Sequence, residues 1–183
     1  MHFLFVHLPG ESDGVAIGSA LALADAHLLA GVADTIKEGS LTAGRCWLAA
    51  FEAAAAEAAS DRLAAALAGI EGATALRIEG NGADLSLAET AFIVANHTVT
   101  DAERFEPYIA AVGPVTARYG GRFLARAGRT ERIAGEIDAG RSVILAFADR
   151  AAAERFYAAP DYAPLLELRL ATTRPNMILA AET

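Results

Sequence analysis

The chain has one cysteine (Cys46), one tryptophan (Trp47) and one lysine (Lys37). A single cysteine excludes an intrachain disulfide, and a lone thiol fits a reducing compartment. With lysine nearly missing, arginine carries the positive charge, and the total is still acidic, with a net charge of −8 and a pI near 5.0. That balance excludes the basic footprint expected of a nucleic-acid binder. Long hydrophobic runs are also missing. The nearest candidate, Gly14–Ala33, is dominated by Gly, Ser and Ala and is interrupted by Asp25 and His27, so its apolar payload is too low for a membrane span. Met1–His7 has no basic region and no cleavage-site pattern, so no signal peptide is expected. These absences predict a soluble, cytoplasmic protein.

What is present is alanine, 45 of 183 residues. The hydrophobic share of 54% excludes disorder as the main state, but it signals helices more than bulky core side chains. Charge divides unevenly. Residues 1–89 hold 12 acids and 4 bases, whereas residues 90–183 hold 11 of each.

Phe3–Leu8 is an apolar run stopped by Pro9-Gly10 and predicts a buried strand. Val15–Ala30, with Gly31 behind it, predicts a helix. Thr35–Leu41 and Arg45–Phe51 predict two strands. Glu52–Ile70, rich in Ala, Glu, Leu and Arg, predicts a long helix, and Ala73–Glu79 a further strand. Gly80–Asp84 is turn-rich and predicts a hinge. The second half repeats the order. Ala91–Val99 predicts a strand. Thr100 and Glu103 fit a capping box, opening a helix whose apolar face carries Phe105, Tyr108, Ile109, Val112 and Val115, with a kink expected at Pro114. Arg122–Ala127 and Thr130–Ala134 predict a hairpin around Gly128, or one bulged strand. Ser142–Phe147, a helix from Asp149 to Tyr157 resuming through Leu165–Leu170, and a strand at Asn176–Ala181 complete the chain.

Two tandem β-α-β-β-α-β units, residues 1–84 and 90–183, are two ferredoxin-like folds. The expected class is α+β, with two antiparallel sheets facing each other.

The second unit carries a set of residues in a recognisable order. It begins at Ile93-Val94-Ala95-Asn96 and Val99-Thr100-Asp101 and runs through Tyr119-Gly120-Gly121-Arg122-Phe123-Leu124-Ala125-Arg126-Ala127-Gly128. It continues as Val143-Ile144-Leu145-Ala146-Phe147, Ala152-Ala153-Glu154-Arg155-Phe156-Tyr157, Pro160-Asp161-Tyr162 and Leu168-Arg169. Together these resemble the uncharacterised domain family numbered 1330, of the dimeric α/β-barrel superfamily. The resemblance covers residues 90–183 only. It implies a ferredoxin-like fold whose sheets pair into a barrel, normally between two subunits, and it implies no established reaction. Relatives across the superfamily include small monooxygenases and isomerases with no or varied cofactors, so fold does not decide function. Where family members often carry Trp-Tyr followed by small polar residues, this chain has Phe156-Tyr157-Ala158-Ala159. The first unit resembles a diverged domain of the same superfamily, which would turn the subunit dimer into an intrachain pseudo-dimer.

Several residues are candidates for a site. Arg122 and Arg126 are four apart on a strand and should share a face. With Arg169 they could converge on a carboxylate; the plainer reading is surface ion pairing with Glu131, Glu136 or Glu167. His7 and His97 occupy the first strand of each unit, near-equivalent positions from which both could face the inter-sheet space as acid or base. The plainer reading is a strand-end histidine bonded to backbone. Tyr119, Tyr157 and Tyr162 offer hydroxyls, each more simply read as packing. Trp47 either lines the cavity or fills an alanine-rich core. No HxH or HxxxH pair, phosphate loop or nucleophile elbow occurs, so neither a metal nor another cofactor is expected. The leading expectation is a small apolar or carboxylate-bearing molecule held between the sheets. Catalytic groups would be His97 and Tyr119, and ligand-binding groups Arg122, Arg126, Arg169, Trp47 and His7, with cofactor-independent acid/base chemistry open to them. The rival is a non-enzymatic assembly domain pair with a dry inter-sheet core. A homodimer beyond the intrachain pseudo-dimer stays open.

Overall fold

The fold is that of a computed structural model, which describes residues 1–10, 15–22, 26–30, 35–41, 44–86 and 88–181. Strands β1 (His2–Pro9), β2 (His27–Ala30), β3 (Thr35–Glu38), β4 (Gly44–Phe51) and β5 (Thr74–Glu79) come from the first half, with helices α1 (Val15–Ala22) and α2 (Ala56–Leu67). The second half supplies β6 (Ala91–Val99), α3 (Ala102–Arg118), β7 (Arg122–Arg126), β8 (Thr130–Ala134), β9 (Arg141–Phe147), α4 (Arg150–Tyr157), α5 (Ala163–Thr172) and β10 (Thr173–Ala181).

Two five-stranded sheets result, ordered β2-β4-β1-β5-β8 and β3-β10-β6-β9-β7. Each half therefore lends one strand to the other's sheet. β3 leaves the first half to pair with β10, and β8 leaves the second half to pair with β5. The edge strands of the two sheets are consecutive in the chain, β2 with β3 and β7 with β8, and the two sheets pair into a barrel whose closure covers the sheet edges.

The continuous apolar run of β1 follows from this closure. Leu4, Val6 and Leu8 pack under α1 and α2, whereas Phe3 and Phe5 enter the barrel with Leu48, Leu76, Phe92, Val94, Ile144 and Ile178. Both faces of the strand are buried, so neither can be polar. Each phenylalanine buried this way contributes roughly 1.5–3 kcal/mol. The second sheet has its own helix layer, with Ile93, Ala95, Leu145 and Phe147 beneath Val112, Val115 and Phe156.

The halves are related by a pseudo-twofold that the strand registers define residue by residue. His2 faces Phe51 and Glu79 as Ala91 faces Phe147 and Ala181. The irregularities repeat as well: β2 and β7 each slip once against β4 and β9, and β3 and β8 each slip once against β10 and β5.

Four expectations change. The helix expected over Val15–Ala30 ends at Ala22, and His27–Ala30 is a strand. The cap of α3 is Asp101, not Thr100: its carboxylate accepts from the Arg104 amide at 3.1 Å, one residue inside the expected box. The same helix runs unbroken through Pro107 and Pro114 as far as Arg118. Finally, of the two readings of Arg122–Ala134 the hairpin is excluded, because β7 and β8 lie in different sheets. Ala127 takes a left-handed φ of 59°, and a side chain at Gly128 would lie 2.5 Å from the Glu79 carbonyl oxygen. The chain therefore turns away from β7 and is captured by β5, with the Glu79 amide donating to the Arg129 carbonyl at 2.9 Å.

Candidate ligand-binding site

The space between the sheets is the expected site, and among the described residues its middle is filled. The barrel interior is filled by the aromatic and aliphatic side chains named above, and the gap among Phe5, Leu41, Leu76, Val94, Asn96, Ile137, Asn176 and Ile178 is about 10 Å³. That holds at most one water.

The polar groups gather instead behind the second sheet, between its outer face and α3. One residue of register decides this. Along the pseudo-twofold His7 corresponds to Asn96, and His97 corresponds to Leu8. A one-residue offset inverts the face of a strand residue. His7 therefore looks inward, towards a cleft of about 460 Å³ at the barrel end that it lines with Ser40, Thr74 and Ile137. His97 looks outward under α3, only 2% exposed.

His97 joins a buried network. Arg169 of α5, with no exposed surface, approaches His97 Nε2 at 3.0 Å and grips Glu38 with two donors, at 2.7 and 2.5 Å. The Tyr157 hydroxyl donates to the same carboxylate at 2.6 Å. Glu38 lies on β3, the strand lent by the first half, so the network of the second half depends on an acid from the first. Burial, then the neighbouring Arg169 and Arg141 charges, push the His97 pKa down to about 3, so the ring is neutral near pH 7. Burial alone would weaken the Arg169 charge, but the Glu38 hydrogen bonds more than offset it and its pKa rises. A guanidinium only donates. Nε2 is thus the acceptor and the His97 proton sits on Nδ1, which has no partner among the described residues.

His97 forms one wall of a small cavity with Phe105, Tyr108, Ile109, Val112, Phe123, Arg126, Arg141, Val143 and Leu145. Arg126 lies 4.5 Å from the centre of the Phe123 ring and donates to the Ile109 carbonyl at 2.6 Å. Arg141 lies 6.0 Å from the centre of the Phe105 ring. Burial, then the nearby Arg126 charge, lower the Arg141 pKa. Among the described residues no carboxylate stands within ion-pair distance of either arginine; Glu106 acts on Arg141 only at longer range. Burial, then Tyr162, raise the Tyr108 pKa, so that hydroxyl stays protonated. The cavity volume is about 20 Å³, closed down to one water's room.

The structure thus brings His97, Arg126 and Arg169 together and leaves the other candidates elsewhere. Arg122 does not share a face with Arg126. β7 slips against β9 between Phe123 and Ala125, and the extra residue reverses the phase. Arg122 instead clamps Glu89 at 2.5 and 2.6 Å and the Asp84 carbonyl at 2.7 Å, tying down the connection between the halves. Tyr119 caps α3 and donates to Asp161 at 3.0 Å, outside the cavity. Trp47 faces α1 and α2, not the barrel interior. Glu38, Tyr108, Phe123 and Arg141 were not expected at a site. Arg141 was within reach of sequence, because it alternates with Val143 and Leu145; Glu38 was not, because it arrives from the other half.

Among the described residues no three His, Cys, Asp or Glu side chains are grouped to hold a metal ion, and no helix is long and apolar enough to cross a membrane.

An anthrone oxidase-like protein of known structure superposes over 99% of this chain and 91% of its own, with a TM-score of 0.52 and 13% identity. A major regulator of staphylococcal pathogenesis superposes over 100% of this chain and 99% of its own, with a TM-score of 0.52 and 9% identity. At such identities the likeness is one of fold. No curated protein matches at a significant level. The model of DUF1330, a domain of unknown function, matches residues 90–183, slightly more than half the chain and the part that builds the cavity behind the second sheet, and the chain belongs to that family.

Proposed function

We propose that this protein binds a small, flat, carboxylate-bearing molecule between α3 and the second sheet. The observation that carries the reading is the excess of donors over acceptors in the lining. Two guanidiniums without a carboxylate partner and a buried imidazole N–H without an acceptor, among the described residues, border a space walled by Phe105, Tyr108 and Phe123. An acceptor-rich anion complements such a wall, and aromatic faces suit a planar body. The ligand enters by replacing the Ile109 carbonyl as the acceptor of Arg126, which swings outward and widens the closed cavity. His97, neutral and held by Arg169, then donates from Nδ1 to a ligand oxygen. Acid/base chemistry without a cofactor would use this polarisation, with His97 as donor and not as base, since its Nε2 is occupied. The buried Cys46 thiol supports a cytoplasmic setting.

Titration with benzoate, followed calorimetrically, tests the site. Arg126→Ala and Arg141→Ala should each weaken binding at least about tenfold, corresponding to roughly 1.4 kcal/mol or more. Undiminished binding in both variants sinks the assignment. The dry barrel core favours the rival reading of an assembly domain pair. Under it benzoate and other small carboxylates leave wild type silent, and the arginine variants alter only self-association, seen by light scattering.

A further inference from the structure

The pseudo-twofold implies a second cavity, between the first sheet and α1. Its walls can be named from the registers. Leu8 stands where His97 does, Arg45 where Arg141 does, Trp47 where Val143 does and Ala49 where Leu145 does. On the lent strands, Ala134 opposite Ala75 stands where Glu38 opposite Met177 does. The polar network is therefore replaced by a leucine and an alanine, and the largest side chain available replaces a valine of the cavity wall.

We infer that the chain carries one ligand site, not two, and that Trp47 is the plug that closes the other. This inference rests on the proposed site behind the second sheet. Two observations support it together. Trp47 is 7% exposed and belongs to one packed cluster with Ile17 and Leu21 of α1 and with Leu63 and Leu67 of α2. The positions near the indole that match His97 and Glu38 hold Leu8 and Ala134, so the polar pair that orients the donor in the other cavity has no counterpart here. A pocket that bound an anion would need such a pair, but a pocket filled as core would exclude it, because buried polar groups without partners are costly. The result is a division of labour within one barrel. The second half forms the site, and the first half contributes Glu38 to it and surrenders its own copy to packing.

The number of benzoate molecules bound per chain reads this directly. Wild type should bind one. Val143→Trp, which copies the plug into the cavity behind the second sheet, should bind none. Trp47→Val, which removes the plug, should bind a second molecule, at least about tenfold more weakly than the first because no histidine donor awaits it. Circular dichroism confirms that each variant is folded, and Trp47→Leu replaces Trp47→Val should the latter not fold. Two sites in wild type, or an unchanged count in folded Trp47→Val, overturns the inference and leaves the cavity behind the second sheet standing; an unchanged count in folded Val143→Trp overturns that cavity as the benzoate site as well. No binding by wild type defeats the underlying site; a first site appearing in Trp47→Val would still identify the plug.

Discussion

At the scale of single residues, the face a side chain occupies decides its chemistry. His7 and His97 sit on matching strands, and sequence alone makes them a pair. Their offset of one position sends one into the barrel and the other under α3, and the offset is invisible until β1 and β6 are aligned through their partner strands. His97 is then surrounded by Arg169 from α5, Arg141 from β9 and Phe105 and Tyr108 from α3, with Glu38 from β3 behind Arg169. Its folded pKa of about 3 lies below the ordinary value of 6.5. A depressed pKa of this kind adds stability above pH 6.5 that drains away as pH falls towards 3, because only the unfolded chain takes up the proton. The loss is at most about 1.4 kcal/mol per pH unit in that window. His97→Leu, which installs the residue found at the equivalent position of β1, removes this slope. Urea unfolding at about pH 7 and about pH 5 should therefore show the wild type losing on the order of 2 kcal/mol more than the variant. Equal losses would mean that His97 is protonated in the folded state.

At the scale of elements, the strands are legible and their destinations are not. Alternation and apolar runs mark β1, β4, β6, β9 and β10 because those patterns are local. That β3 belongs with β10, and β8 with β5, is set by contacts more than 50 residues apart in sequence and by the turn at Ala127-Gly128, which sequence offers equally to a hairpin. The same non-locality hides half of the site. Arg126 and Arg169 can be picked out as candidates, but their surroundings depend on a strand slip and on an acid from the other half. Glu38 shows the cost. Its side chain is 8% exposed and its partner Arg169 is 0% exposed, so Glu38→Ala strands a guanidinium in the core. Removing one partner of such a pair destabilises by about 3–5 kcal/mol, whereas replacing both by apolar residues costs far less. Urea midpoints of Glu38→Ala and of the double variant Glu38→Leu/Arg169→Met should show the double variant as the more stable of the two. The opposite order would mean that the ion pair itself, and not the stranded charge, carries the stability.

At the scale of the whole molecule, the charge asymmetry and the strand exchange describe one arrangement. Residues 1–89 carry the entire net charge of −8, yet neither half owns its sheet. The barrel interior draws Phe3, Phe5, Leu48 and Leu76 from one side and Phe92, Val94, Leu124, Ile144 and Ile178 from the other. Either half alone would expose that surface together with the free edge of β5 or β10, the kind of edge that invites pairing with another chain. We propose residues 1–84 and 90–183 as two units in descent but one unit in folding. Expressed separately, each should fail to give a cooperative thermal transition and should aggregate; mixed from denaturant, they should regain the transition and, with it, benzoate binding. The segment containing residues 90–183 supplies every named wall of the cavity, so binding by that segment alone would show that Glu38 and β3 are dispensable. Binding only on mixing assigns the site to the closed barrel, with the acidic half acting through the carboxylate that holds Arg169 against His97.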